Sequence, residues 1–487
     1  MDVLILGILF VFVFAPAFGS ARFAARSAPN GRHARMLRVP LGRGSALSAF
    51  NLAVLVYVAW WTHEDRHYDD FAAGTTILLA VTSASVLFLG LGPLISWLLG
   101  VLVRRTVRLP PLMRLAVRDL ADNRARSAAA VAMTMVLTAM AVIVTTVAVA
   151  MAAQDGARYL PQGRPGALLV EVYSVEEAAA VRAAVQRELP GVPMVRSFRA
   201  GAWHFIPDVE KVDLPDLEAV SPAGVIGEGE LLRYLTGDPA TPYDGNTAVV
   251  VTSDDVRADT VTISYGPLET DALSSRSVPA IVVRPTDPEV KELFIPAKVI
   301  RDLGYQPRLD KLIIDPSVHR TSRAEQERID RRLDDTATTY VERGFEASTG
   351  WYPIVAVVIV TALGVALSVT GRGGPRTTRV LLRLGGGSAA APRLFAACRA
   401  GIGTACGAAA GTVAGCVVGL LLAWPFTAPI EWEPVPRVSF GTPWLSIAAL
   451  PPVLSLLAAL IAALAPVPSK EGASGRRLFG NRNVMAG

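Results

Sequence analysis

Seven runs of apolar, uncharged residues punctuate the chain, at 3–21, 44–62, 71–103, 127–153, 351–371, 400–424 and 438–469. A helix rises ~1.5 Å per residue, and the hydrocarbon core of a bilayer needs roughly 20 residues. Each run therefore predicts a spanning helix. The run 71–103 exceeds one straight span, which predicts an extension past the bilayer or a bend near Gly90–Pro93. Pro443, Pro451 and Pro452 predict a late start or a kink in the last span. The first run has the small-residue end of a signal peptide, but a signal peptide carries positive charge ahead of its core. Here Asp2 precedes the run and Arg22 and Arg26 follow it, so it reads as a spanning helix with its N-terminus outside.

Between these runs the periodicity changes. Leu112, Ala116 and Leu120 recur at four-residue spacing with Met113 and Val117 beside them, while Arg114, Arg118, Arg124 and Arg126 fall mostly on the opposite side. This predicts an amphipathic elbow helix over 111–126, lying at the membrane–water interface. Residues 154–350 form a polar domain. Ala167–Tyr173 reads as a strand, and Ser174-Val-Glu-Glu177 has capping-box spacing ahead of a helix to about Glu188. The pattern returns with a strand at 311–315, a second capping box at Ser322-Arg-Ala-Glu325 and a helix to about Asp334, followed by a strand at 338–342. Strand-like segments at 247–252, 260–265 and 278–283 lie between. Two strand–helix units bracketing a β-rich insertion predict a mixed α+β domain of two lobes.

The 487 residues are 52% hydrophobic with mean hydropathy +0.40, as the runs require. Net charge is +5. Its distribution matters more than its sum. Segments 22–43, 104–126, 372–399 and 467–487 carry a net +20 and the remainder −15. The positive-inside rule places the first group in the cytoplasm. The basic clusters thus act as topology signals and lipid-headgroup contacts, not as a nucleic-acid surface. The resulting plan is an α-helical integral membrane protein of about seven transmembrane helices with a large extracytoplasmic domain. Residues 1–110 hold three spans, 111–126 the elbow, and 127–153 a span. The domain is 154–350, residues 351–469 hold three spans with a cytoplasmic loop at 372–399, and 470–487 is a cytoplasmic tail.

Candidate chemistry is sparse. Gly403, Gly407, Gly411, Gly415 and Gly419 lie at four-residue spacing on one helix face, which predicts close approach of another helix. His63-Glu64-Asp-Arg-His67 matches the zinc-protease pattern H-E-x-x-H. It falls in a short polar turn between two spans, with no persuasive third ligand. None of the five lysines follows a glycine, so no Walker A motif is present, and no G-x-S-x-G occurs. No Asp, Glu, Lys or Arg stands well inside any run, which disfavours an ion-driven carrier. Cys398, Cys406 and Cys416 all sit in or beside one apolar run, so disulfides do not organise the domain.

The layout RLAVRDLADNRAR–span–polar domain–three spans, from Leu112 to about Pro466, resembles the FtsX-like (MacB-type) permeases of ABC transporters. In that family a cytoplasmic loop after the second span of the unit carries a short helix that docks on the ATPase. Thr377-Thr-Arg-Val-Leu-Leu-Arg-Leu-Gly-Gly-Gly387 occupies that place, with Val380, Leu381, Leu384 and Gly385 matching, Arg379 and Arg383 beside them, and Thr377 where the family has Glu. The resemblance implies a permease subunit that holds no cofactor and works with a cytoplasmic ABC ATPase binding ATP and Mg. It further implies a cell-membrane, multi-pass location and a second permease subunit or a homodimer. Residues 1–103 resemble the last helix of a first copy plus two linker spans, as in the larger two-copy permeases. Two rival readings stand beside it. One is a signalling or scaffold protein controlling a cell-wall hydrolase or sensing antibiotics. The other is a membrane zinc protease using His63, Glu64 and His67.

Overall fold

A computed structural model describes residues 15–26, 38–63, 69–105, 110–159, 161–174, 176–200, 203–208, 224–267, 274–288, 290–368, 390–429 and 437–464. The chain gathers into two units, one of Met1–Ala157 with Ala347–Gly487 and one of Arg158–Glu346. In chain order the helices are α1 (residues 15–26), α2 (Arg38–Trp61), α3 (Asp70–Arg105), α4 (Pro111–Asp122), α5 (Arg124–Arg158) and α6 (Ala178–Glu188). They continue with α7 (Gly229–Thr236), α8 (Ala297–Asp302), α9 (Arg323–Leu333), α10 (Trp351–Ser368), α11 (Ala390–Phe426) and α12 (Trp444–Leu464).

The larger unit is a helical membrane unit. Among the described residues six helices, α2, α3, α5, α10, α11 and α12, are long and apolar enough to cross a bilayer. The seventh run read from the sequence is helical over residues 15–26, and its first residues lie outside the described ones. These helices are apolar all round, as lipid-immersed helices must be. On α12 only Ile447, Leu454, Ala458 and Ala462 are buried, while Leu445 and Leu456 are 89% and 70% exposed. The inner cluster joins Leu55 and Val58 of α2, Phe88 and Ile95 of α3, Val131, Met135 and Leu137 of α5, Val358 of α10 and Val418 and Leu422 of α11. Pro93 lies inside α3, which stays one helix, and α12 starts late, one residue after Pro443.

Several boundaries differ from those the sequence predicts: α5 runs on to Arg158, the second unit spans Arg158–Glu346 instead of 154–350, and two further shifts bear on the site. The elbow ends at Asp122, because Asn123 leaves the helical region (φ −98°, ψ 36°) and its side-chain amide donates to the Asp119 carbonyl. Arg124 and Arg126 therefore belong to α5 and not to the elbow. The loop expected over 372–399 ends by 389. Its last ten residues, AAPRLFAACR, form the start of α11, where alanine and leucine favour helix and Arg399 finds a partner inside the unit.

The second unit is a mixed α/β body. Its strands are β1 (Leu168–Val172), β2 (Val195–Arg199), β3 (Trp203–Asp208), β4 (Val225–Gly227), β5 (Ala248–Val251), β6 (Thr260–Pro267), β7 (Ser274–Val283), β8 (Glu292–Pro296), β9 (Arg308–Ile314) and β10 (Ala337–Val341). They hydrogen-bond in the order β10-β1-β9-β2-β4-β8-β5-β7-β6-β3. Among the described strands only β4–β8 and β5–β7 run parallel. β1 lies second from one edge and is buried on both faces over Leu168–Val170, while Glu171 is exposed. Leu168, Val170 and Val172 pack with Val181 and Val185 of α6 and Ile329 and Leu333 of α9. Leu169, on the other face, joins Leu231 and Leu232 of α7 with Val249, Val251 and Phe294. This double burial explains why the first half of ALLVEVY is continuously apolar, and alternation returns at Val170-Glu171-Val172 where one face opens. Val250, Ile263, Val278, Ile295 and Ile300 form a third cluster under the insertion. The two expected lobes thus keep separate cores on one face of the sheet and share a core on the other. The box at Ser174 does not cap α6. That helix starts at Ala178 with Glu177 as an uncapped N-cap, while the Ser322–Glu325 box is fully formed.

Candidate functional site

The membrane unit concentrates its specific contacts where α4, α5 and α11 meet. Pro110 and Pro111 start α4, proline being tolerated where the first helical N–H groups have no partner. Ala116, Val117 and Leu120 are buried, and Met113 is 39% exposed. Leu112, Leu115 and Ala116 pack against Phe395, Cys398 and Ile402 of α11. Beside this patch Arg399 Nη1 lies 3.1 Å from Asp119 Oδ2, with side chains 2% and 6% exposed. Both residues stand in segments that the charge pattern assigns to the cytoplasm. A signal of Arg399's place, though not of its partner, is present in the sequence: it stands four residues before Gly403, so it continues the glycine face one step toward the N-terminus.

That face runs along α5. A Cβ added at Gly407 would stand 2.8 Å from the Val131 carbonyl oxygen, at Gly411 2.3 Å from that of Met135, and at Gly415 2.8 Å from that of Ala139. At Gly419 it would be 3.3 Å from the Cα of Ile143, and at Gly403 3.9 Å from side chains of Leu120 and Val131. Three of the five glycines therefore meet backbone at distances no side chain tolerates. A small cleft between α5 and α11 is lined by Ser127, Thr134, Arg399, Gly403 and Thr404.

At the other end of α11, Trp424 is held between two groups. The His63 ring lies 4.6 Å from the Trp424 ring, and the Arg437 guanidinium 4.8 Å from it. Arg437 Nη2 also donates to the Trp424 carbonyl at 2.9 Å, and the Val438 N–H donates to the buried Gln154 Oε1 at 3.1 Å. His63 is thus engaged by an aromatic ring, and Glu64 and His67 lie outside the described residues. Among the described residues no group of three His, Cys, Asp or Glu could hold a metal ion. Arg379, Val380, Leu381, Arg383, Leu384 and Gly385 also lie outside them.

In the α/β unit one buried carboxylate organises the two chain segments that open and close it. Glu342 accepts from the Gln162 and Gly344 N–H groups, both at 2.9 Å, and from the Tyr159 hydroxyl. Its backbone N–H donates to the Ala167 carbonyl at 2.9 Å, and its carbonyl accepts from Gly166. Nearby, the Arg164 N–H donates to the buried Tyr234 oxygen at 2.9 Å, and burial pushes the Tyr234 phenol up to about 12. On β8, burial raises the Glu292 carboxyl to about 7, with Lys311 offsetting part of the effect.

No protein-family model matches the chain, and no curated protein matches it.

Proposed function

We propose that the protein is the membrane permease subunit of an ABC transporter, coupling ATP hydrolysis by a separate ATPase to an extracytoplasmic α/β domain. The cargo class is a peptide, lipid, lipoprotein or drug to be exported or extracted. The observation that carries this reading is the order of elements: elbow α4, span α5, an inserted α/β unit, then α10, α11 and α12. Two chemical gradients support the orientation. Trp60, Trp61, Trp351, Trp424 and Trp444 stand at helix ends that the charge pattern assigns to the outside, as interfacial anchors do. The arginine-rich segments 22–43, 104–126 and 372–399 adjoin the opposite ends. The chain has no phosphate-binding motif, so ATP-driven work needs a partner, and the apolar stripe Val380, Leu381, Leu384 is the segment suited to receive it.

The test is affinity purification from native membranes of the wild type and of Leu381→Asp. Every arginine remains in the variant, so its insertion is retained. A charge placed in an apolar docking contact costs several kcal/mol. An ATPase should co-purify with the wild type and be lost from the variant. Wild-type recovery of the ATPase by a normally inserted Leu381→Asp protein would remove this loop from the mechanism.

A further inference from the structure

The contacts of α11 fall on both sides of a break. α4 and α5 are separated only by Asn123, whose backbone is not helical. One face of α11 grips the arm before the break through Arg399 and Phe395, and the arm after it through Gly407, Gly411 and Gly415. We propose that α11 splints the Asn123 break, and that Asp119 and Arg399 are the positioning pair that holds the elbow arm in register, so that α4, α5 and α11 move as one body. This deepens the permease reading and rests on it for its consequence: a push received just ahead of α11 would reach α5, and hence the inserted unit, without loss at the break.

The choice of residues supports a register role. Among the described residues the inner cluster where the other helices meet is built of small and apolar side chains, with the Ser48 hydroxyl donating to the Leu87 carbonyl between α2 and α3, and such contacts suffice for adhesion. A buried ion pair is a poor source of stability, because desolvation offsets much of the attraction, and its best-attested use is to fix one alignment. Sliding α4 by one turn, ~5.4 Å, would separate the charges and leave both buried. The contacts on the glycine face set the α5–α11 spacing but leave the tilt of α4 to the patch of Leu112, Leu115 and Ala116 and to the pair. Ser127, Thr134 and Thr404 line the cleft that Arg399 borders, so its surroundings are not wholly apolar.

Native Cys398 supplies the reporter, because it packs in the cluster with Leu115. In full-length protein carrying Cys406→Ala and Cys416→Ala, Leu115→Cys should form a disulfide with Cys398 under copper–phenanthroline in native membranes. The yield should be the same with and without MgATP. Asp119→Asn or Arg399→Gln should lower it several-fold, and the exchange Asp119→Arg with Arg399→Asp should restore it to within twofold. ATP hydrolysis per molecule of co-purified ATPase should fall about tenfold in the single variants and recover in the exchange. A purely structural pair would lower the amount of protein and leave that ratio unmoved. Wild-type crosslinking in normally inserted single variants, or loss of the wild-type crosslink on adding MgATP, overturns the splint. If the single variants do not accumulate, the MgATP comparison and the exchange decide, and an exchange protein that cannot form the crosslink overturns it. Failure of any ATPase to co-purify with the wild type would instead defeat the permease reading, while the crosslinking arm would still judge the joint.

Discussion

Each unit of this protein holds a deeply buried carboxylate, Asp119 in one and Glu342 in the other, and the two are compensated by opposite means. Asp119, between helices, is matched by a full positive charge on Arg399. Glu342, between connecting segments, is matched by two backbone N–H groups and a phenol, all neutral. The difference follows from the backbone. Within a helix nearly every N–H is spent on the carbonyl four residues earlier, so a bundle has few free amides to offer. Connecting segments such as 161–166 and 342–346 leave amides unspent, and these can converge on one acceptor. The lesson is that a helical membrane unit must import its compensation as a side chain, whereas a sheet domain can supply it from the main chain.

The largest effect should come from the surface on which the membrane unit depends and the α/β unit has no counterpart. Gly411→Leu puts a side chain where even a Cβ would be 2.3 Å from the Met135 carbonyl oxygen. Separating the two backbones should cost more than ~3 kcal/mol and prevent accumulation of folded protein. Gly364 on α10 has nothing within 4 Å of its added Cβ, so Gly364→Leu should accumulate normally in the same membranes. Equal yields for the two would show that the glycine face does not hold the unit together.

Isosteric amides probe the two carboxylates directly. Asp119→Asn leaves Arg399 buried without its counter-charge, a loss of about 3–5 kcal/mol. Glu342→Gln keeps one carbonyl oxygen to accept and leaves no charge uncompensated, so the loss should be about 1–2 kcal/mol. Hydrogen exchange should quicken around 116–123 in the first variant and around 162–167 in the second. If Glu342→Gln proved the costlier, the contrast between charged and neutral compensation would fail.

Glu292 gives a pH test confined to the α/β unit. Its carboxyl moves from an ordinary 4.5 to about 7 in the folded unit. Below pH 4.5 both folded and unfolded chains hold the proton and nothing is lost. Between 4.5 and 7 the unfolded chain ionises first, so stability falls, and above 7 the penalty is complete. Glu292→Gln should therefore leave the melting of this unit unchanged at pH 4 and stabilise it at pH 8 by about 2 kcal/mol. A variant no more stable than wild type at pH 8 would place Glu292 in water.

These contrasts also explain which features could be read from the sequence. Spans were legible because the bilayer fixes their length and forbids charge within it, so α5, α10 and α12 stand close to the uncharged runs. The strands β1, β5, β6, β7, β9 and β10 were legible from β-branched runs between turn residues. The strand order was not, because β8 (ELFIP) and β4 (VIG) are short and pair across long separations that no local pattern encodes. Nor was the Asp119–Arg399 pair, since charge counted by segment treats both residues as topology signals and says nothing of which helix faces which.

The smallest effect expected lies in a motif that occurs twice. Ser174-Val-Glu-Glu177 and Ser322-Arg-Ala-Glu325 have the same spacing, and only the second is closed. Ser322 Oγ accepts from the Glu325 N–H at 3.3 Å, and Glu325 Oε2 accepts from the Ser322 N–H at 2.8 Å. These bonds, with the Ser322 hydroxyl, hold the Glu325 carboxyl below its usual range. At the first site the Ser174 oxygen accepts instead from the Glu176 N–H, at 3.3 Å, and α6 begins beyond it. The two serines differ in their distance from the helix. β1 ends at Val172 and a turn at 176–177 intervenes between Ser174 and α6, whereas Ser322 stands in extended backbone (ψ 158°) directly before α9. Ser322→Ala removes one acceptor from the first turn of α9 and should cost about 1 kcal/mol, read as faster exchange of the Glu325 amide and a lower melting temperature of the α/β unit. Ser174→Ala should change neither. A loss at Ser174 equal to that at Ser322 would mean that spacing alone, without the extended backbone ahead of the helix, is enough to cap it.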